Sequence, residues 1–202
     1  MTFFLPKLPP IGGSLVRLPY FPKGSSSINL SIAICWATTG VVIAIIPTQL
    51  ATFGLTAYAG FCLVLINWTG GFLQPIIRKR FAPKTSLKIG FAIVPIGFGI
   101  VILGSYFGLL SVVLIGTACI GLAAYGFSYQ GGLALIADLG GVQKARAVSG
   151  YMFFGYVGFG IPAVLLGFLA DSIGIIYSLG VFELFIFVLS IYLYFTFDKQ
   201  NK

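Results

Sequence analysis

Histidine is absent from the 202 residues, and acids are scarce, with 4 Asp+Glu against 12 Lys+Arg. Without an imidazole the chain has no His-ligated metal site, no Ser-His or Cys-His nucleophile pair and no imidazole proton relay. Charged side chains make up 8% of the residues, about a third of the share found in soluble domains. A water-soluble globule is thereby excluded. The three cysteines, Cys35, Cys62 and Cys119, each sit in an apolar run, which reads as small core residues without a disulfide framework. No metal site and no cofactor are expected. With no nucleophile–base pair in view, an enzyme is not expected either.

What is present instead is 58% hydrophobic residues, 16% aromatics and 27 Gly, with a mean hydropathy of +1.06. Lipid rewards that composition, because apolar side chains need no water and Gly lets packed helices approach closely. The charges then divide the chain. Between Lys23 and Arg78 lie 54 uncharged residues, and between Lys88 and Asp138 lie 49. Each run holds two membrane helices of about 20 residues. Ala147 to Ala170 gives one more span, and Ser172 to Phe197, interrupted only by Glu183, another. The expectation is an all-α polytopic membrane protein with six transmembrane helices, at about 28–50, 58–77, 87–105, 109–137, 147–170 and 173–195. The fourth span is overlong, so it either tilts or is broken near Gly131-Gly132.

The net charge of +8 is a matter of topology. Lys7, Arg17 and Lys23 precede span one, and Arg78, Lys79, Arg80, Lys84 and Lys88 follow span two. Lys144 and Arg146 follow span four, and Lys199 and Lys202 follow span six. An even number of crossings separates the clusters, so every cation falls on one face, which the positive-inside rule makes cytoplasmic. Both termini are expected inside, in what reads as a bacterial plasma membrane. The partners implied are the lipid bilayer and its anionic headgroups, with no nucleic acid. Residues 1–27, rich in Pro and ending in Gly24-Ser25-Ser26-Ser27, read as a flexible cytoplasmic segment, and 198–202 as a cytoplasmic tail.

Inside the spans a few polar and small residues stand out. On span two Asn67, Gly71 and Gln74 share a stripe, and buried amides in lipid need protein or a water-filled cavity beside them. On span four Thr117, Gly121, Tyr125, Ser128 and Gly132 form a second stripe with Tyr129 and Gln130 alongside. These stripes fit either a cavity lining or plain interhelical hydrogen bonds. Span one carries Trp36, Thr38, Thr39, Pro47 and Gln49, with Trp36, Gly40, Ile43 and Pro47 on one face of a bent helix. Span five places Tyr151, Gly155, Gly158 and Pro162 on one face and Gly160 and Gly167 on the other, as a packing helix or one that slides on its neighbours. Glu183 is the one ionisable group in mid-span, a proton-site candidate by default, with no basic residue in any span to pair with it.

Three stretches carry a family resemblance. Gly70-Gly71-Phe72-Leu73-Gln74-Pro75-Ile76-Ile77-Arg78-Lys79-Arg80-Phe81-Ala82-Pro83-Lys84 resembles the basic cytoplasmic loop of the major facilitator superfamily. Ala134 to Gly150, followed by Gly158-Phe159-Gly160-Ile161-Pro162 and Gly167 to Gly174, is similar to the tenth-to-twelfth helix region of those transporters. The resemblance implies the C-terminal six-helix half of a twelve-helix carrier, a half-bundle of two inverted three-helix repeats, with residues 1–27 resembling the linker between halves. It further implies that spans one and four line a substrate cavity, through Trp36, Thr39, Thr117, Tyr125, Ser128, Tyr129 and Gln130, with Asn67 and Gln74 as further candidates on span two. Spans two and five would form the rocking contact, and Glu183 would lie on a peripheral helix.

The function this implies is transport of a small solute by alternating access with a partner, either an N-terminal six-helix half or a second copy, driven by ion coupling. The other reading of the same residues is a non-transporting membrane remnant or assembly subunit.

Overall fold

The computed structural model describes residues 18–200, with side chains as far as Phe197. It is helical almost throughout, and the described residues contain no strand. Eight α-helices follow in order: α1 Ser26–Ala44, α2 Ile46–Ala51, α3 Ala59–Arg80, α4 Pro83–Phe107, α5 Leu110–Gly121, α6 Gln130–Gly140, α7 Lys144–Ile173 and α8 Ile175–Gln200. Between α5 and α6 the helix widens into a π-helical stretch, Leu122–Tyr129, without leaving its axis. Short 3-10 turns, Thr56–Tyr58 and Gly141–Gln143, precede α3 and α7.

Five stretches are long and apolar enough to cross a membrane: Ser26–Ala51, Thr56–Arg80, Pro83–Phe107, Leu110–Ile173 and Ile175–Phe197. Five rather than six arise because the fourth runs for 64 residues. Gly141 takes φ 49° within it. There α7 folds back on α6, so that Gly140 meets Ala147 and Gly132 meets the Tyr151 ring. The outer surface is lined with large apolar side chains, among them Phe72, Phe168, Tyr177 and Phe195. Such a surface is stable in lipid and not in water. The protein is an all-helical integral membrane protein.

Local chemistry sets where the helices break. Pro47 near the start of α2 has no N–H to donate, and the chain steps out of helical register at Ile45, two residues earlier. Pro83 opens α4 at a position where its missing N–H costs nothing, and Ala82 before it is extended. Gly108, at φ 66°, closes α4 in the left-handed conformation and lets the Phe53 ring lie against it. The basic stretch expected as a loop is mostly helical. Arg78, Lys79 and Arg80 form the last turn of α3, where cations favour the carbonyl end of the helix dipole, and only Phe81 and Ala82 link the helices.

α1 is the most buried of the long helices, while α3 and α8 are the least. Its main partner is α7, and glycine makes the approach possible. A Cβ on Gly40 would collide with the Phe159 carbonyl oxygen, and one on Gly158 with the Ala33 backbone. Gly155 lies against the Trp36 ring. α8 covers α4 through ring pairs, Phe91 with Phe197 at 6.1 Å and Phe98 with Phe182 at 5.3 Å. These contacts put the start of α4 beside the end of α8. Arg146 Nε donates to the Leu18 carbonyl (2.9 Å), and the Tyr20 N–H donates to the Arg146 carbonyl (3.0 Å), which brings the start of α1 to the start of α7. The described cations from Lys23 to Arg146 therefore gather at one end of the bundle. Lys7, Arg17 and Lys202, and the side chain of Lys199, lie outside the described residues.

Of the segment expected to be flexible, residues 18–25 are held. Besides the two Arg146 bonds, Phe21 packs edge-on against Phe154 at 5.7 Å, and Pro22 and Ser25 are buried. The break expected at Gly131-Gly132 is also displaced. Both glycines are buried inside α6, Gly131 against Pro83 and Gly132 against Tyr151, and the irregularity lies just before them in the π-helical stretch.

The two faces of α7 give a test by sign. Gly158→Ala is expected to destabilise the bundle by about 1–3 kcal/mol, because the new methyl enters the Ala33 backbone. Gly160 has nothing within 4 Å of an added Cβ, so Gly160→Ala should stabilise by about 0.5–1 kcal/mol through helix propensity alone. Thermal unfolding in detergent, followed by circular dichroism, measures both; equal shifts in one direction would refute the α1–α7 geometry.

Candidate functional site

Three aromatic rings meet where α1 faces the π-helical stretch and α7. The Trp36 ring lies 5.9 Å from that of Tyr125 and 5.3 Å, edge to face, from that of Tyr156. Around them is a cavity of about 390 Å³, lined by Trp36 of α1, Asn67, Gly71 and Gln74 of α3, Tyr125 and Tyr129 of the π-helical stretch, and Met152 and Tyr156 of α7. Trp36, Gln74, Tyr125, Tyr129 and Met152 are half-buried and form the floor, whereas Asn67, Gly71 and Tyr156 are exposed at the rim. The cavity is a cleft between α3 and α7, open on that side.

The π-helical stretch shapes this floor. Its i to i+5 bonding, uncommon in proteins and frequent at functional sites, shifts the helix register. Two of its carbonyls also receive side-chain donors from neighbouring helices. Gln74 Nε2 donates to the Tyr125 carbonyl at 3.4 Å, and the Tyr151 hydroxyl donates to the Ser128 carbonyl at 3.0 Å. Tyr125 and Tyr129 face the cleft, while Ser128 turns inward, where its Oγ accepts from the Cys35 thiol at 3.1 Å. On the other wall, Pro75 inside α3 deprives the Gly71 carbonyl of its i+4 donor at a residue that lines the cleft.

The residues singled out in the sequence fall into distinct places. Trp36, Asn67, Gln74, Tyr125 and Tyr129 come together in the cleft. Asn67 turns its amide back to the Leu63 carbonyl, at 2.9 Å. Thr39 is buried in α1, donating to the Cys35 carbonyl at 3.1 Å. Thr117 is buried in α5, and Ser128 in the bundle interior. Gln130 lines a different cavity, at the basic end, together with Arg78. Gly155 and Gly158 form the α1 contact, Gly160 faces open space, and Pro162 sits within the continuous α7. Glu183, half-buried on α8, points Oε1 toward Gly99 of α4 and is not among the cleft residues.

Met152 and Tyr156 were not legible as lining residues. They belong to the five-residue run Met152 to Tyr156, whose apolar and aromatic side chains all suit lipid. What could have marked them is the spacing of Met152 and Tyr156, i and i+4, beside Gly155, which keeps Trp36 close.

Chemically the cleft offers planar rings, two side-chain amides and phenol hydroxyls, and no charged side chain lines it. A neutral molecule with a flat apolar face and hydrogen-bonding groups matches rings and amides together. The described residues contain no cluster of His, Cys, Asp or Glu suited to a metal ion.

Tyr151→Phe is expected to cost about 1–3 kcal/mol, because the buried hydrogen bond from the Tyr151 hydroxyl to the Ser128 carbonyl is lost. Tyr156→Phe removes a hydroxyl from an exposed ring and should change stability by less than about 0.5 kcal/mol. Denaturant unfolding in micelles compares the two, and equal effects would show that the π-helical stretch does not depend on Tyr151. The chain matches no protein-family model, no curated protein and no solved structure.

Proposed function

We propose that this chain is one six-helix half of a major facilitator-type secondary transporter, moving a small uncharged organic solute by rocking against a partner around the α3–α7 cleft. The observation that carries the reading is the cleft itself. It gathers Trp36, Tyr125, Tyr129 and Tyr156 with the Asn67 and Gln74 amides on a membrane-embedded surface that the described residues leave open. Beside the exposed Trp68 and Phe72 rings, its flank also carries a stripe of small and polar residues. Asn67, Gly60 and Gly71 are exposed on α3, the least buried of the long helices, and an amide beside bare glycines suits a protein partner better than acyl chains.

On this reading Leu110–Ile173 divides at Gly141 into two crossings, with α5, the π-helical stretch and α6 as one and α7 as the next. Six crossings together with the positive-inside rule would put both termini and the basic end on the cytoplasmic side of a plasma membrane. The partner is an N-terminal six-helix half or a second copy of the chain.

Proteoliposomes holding the chain alone, and the chain with a matching N-terminal six-helix half, measure this directly through pH-gradient-driven flux of a panel of neutral ring-bearing solutes. Flux is expected with a partner half, or with the chain alone where crosslinking traps a dimer. Trp36→Ala should lower it about tenfold through lost ring contacts. Glu183→Gln, away from the cleft, should leave it unchanged. Absence of flux in both preparations would overturn the proposal.

A further inference from the structure

A second cavity, of about 420 Å³, lies at the basic end of the bundle and is separate from the cleft. Its wall is built by three helices: Arg78 from the end of α3, Pro83 and Ser86 from the start of α4, and Gln130 with Ala134 from α6. The backbones are tightly fixed here, with Gly131 of α6 seated against the Pro83 carbonyl and Ser86. Ser86 is 3% exposed, Gln130 is half-buried, and the Arg78 side chain is exposed where it borders the cavity.

Three polar side chains from three helices thus converge on one cavity. Guanidinium, hydroxyl and amide can all donate, so a ligand that meets all three is an acceptor with several oxygens. Lys79, Arg80 and Lys84 add positive charge around the opening. α4 begins at the cavity with Pro83, so the N–H groups of Lys84 and Thr85, which lack helical acceptors, lie at the same end. Asp138, next to the wall residue Ala137, is exposed and does not line the cavity.

We propose that this cavity binds a phosphate group, held by Arg78, Ser86 and Gln130. Arg binds phosphate in two-pronged fashion, and basic pockets between membrane helices suit anionic headgroups. Leu133, Ala134 and Phe81 complete the wall with apolar surface. The phosphate can belong to an anionic lipid or to a soluble phosphate, and the site chemistry is the same for both.

The full-length chain, purified in detergent, tests this with two probes. Native mass spectrometry counts retained phosphatidylglycerol against phosphatidylcholine, and thermal unfolding is followed with inorganic phosphate. One phosphatidylglycerol per chain is expected, with Arg78→Gln weakening retention about tenfold and Ser86→Ala about threefold, as for lost charged and neutral hydrogen bonds. Lys144→Gln, at the same end but off the cavity, should leave retention unchanged. Stabilisation by inorganic phosphate with the same variant pattern identifies a soluble phosphate as the ligand, whereas a response to phosphatidylglycerol alone identifies lipid. Ser86→Ala carries the test if Arg78→Gln fails to fold. Equal weakening by Arg78→Gln and Lys144→Gln, or no saturable binding of either probe, overturns the proposal.

Discussion

Every backbone N–H and carbonyl within the membrane-embedded helices has to find its partner inside the protein, because lipid supplies none. That single requirement accounts for an architecture of helices joined by turns of a few residues, and it also explains the side-chain chemistry. Thr38, Thr39, Thr69, Ser178 and Thr196 donate their hydroxyls to carbonyls one turn back in their own helices. Where the helical pattern is broken on purpose, a specific donor is supplied. The π-helical stretch is tolerated because Tyr151 and Gln74 reach its carbonyls from neighbouring helices.

The same requirement shapes how the helices meet. With no hydrophobic drive between apolar helices in lipid, close van der Waals contact holds them, and bare glycines permit that contact. Gly40, Gly70, Gly97, Gly116, Gly121 and Gly158 each sit where a methyl group would strike a neighbouring backbone or Cβ. Fixing α1, α3, α7 and the π-helical stretch so tightly is what leaves a defined cleft among them. Charge plays little part in this core, and Lys88 rests over the Tyr194 ring at 5.4 Å.

Much of this organisation is legible in the amino-acid order, and the failures have physical causes. Charge spacing is a strong signal in a membrane protein, so the basic end and the approximate helix boundaries follow from it. Asn67, Gln74, Tyr125 and Tyr129 stand out because polar groups in apolar helices need a reason. Ser128 and Thr117 share a stripe with Tyr125 only if the helix keeps its α period. The π-helical stretch changes the period at Leu122, so Ser128 turns inward while Tyr129 takes its place at the cleft. Gln130 belongs to the next helix and to the basic end for the same reason. Nothing in the composition of Leu122–Tyr129 announces a π-helix, and the close glycine contacts it makes with α3 exist only once the chain has folded.

The hydrogen bond between Leu18 and Arg146 joins residues 128 apart in sequence. α1, the most buried helix, finds its principal neighbour only when α7 has been made. At about 5–20 residues per second of synthesis, the interval is on the order of ten seconds. During that time α1 presents Ser31, Thr38 and Thr39 to the membrane with only their own carbonyls as partners. Those local bonds, modest in the finished protein, are what allow the first helix to wait in lipid for the rest of its fold.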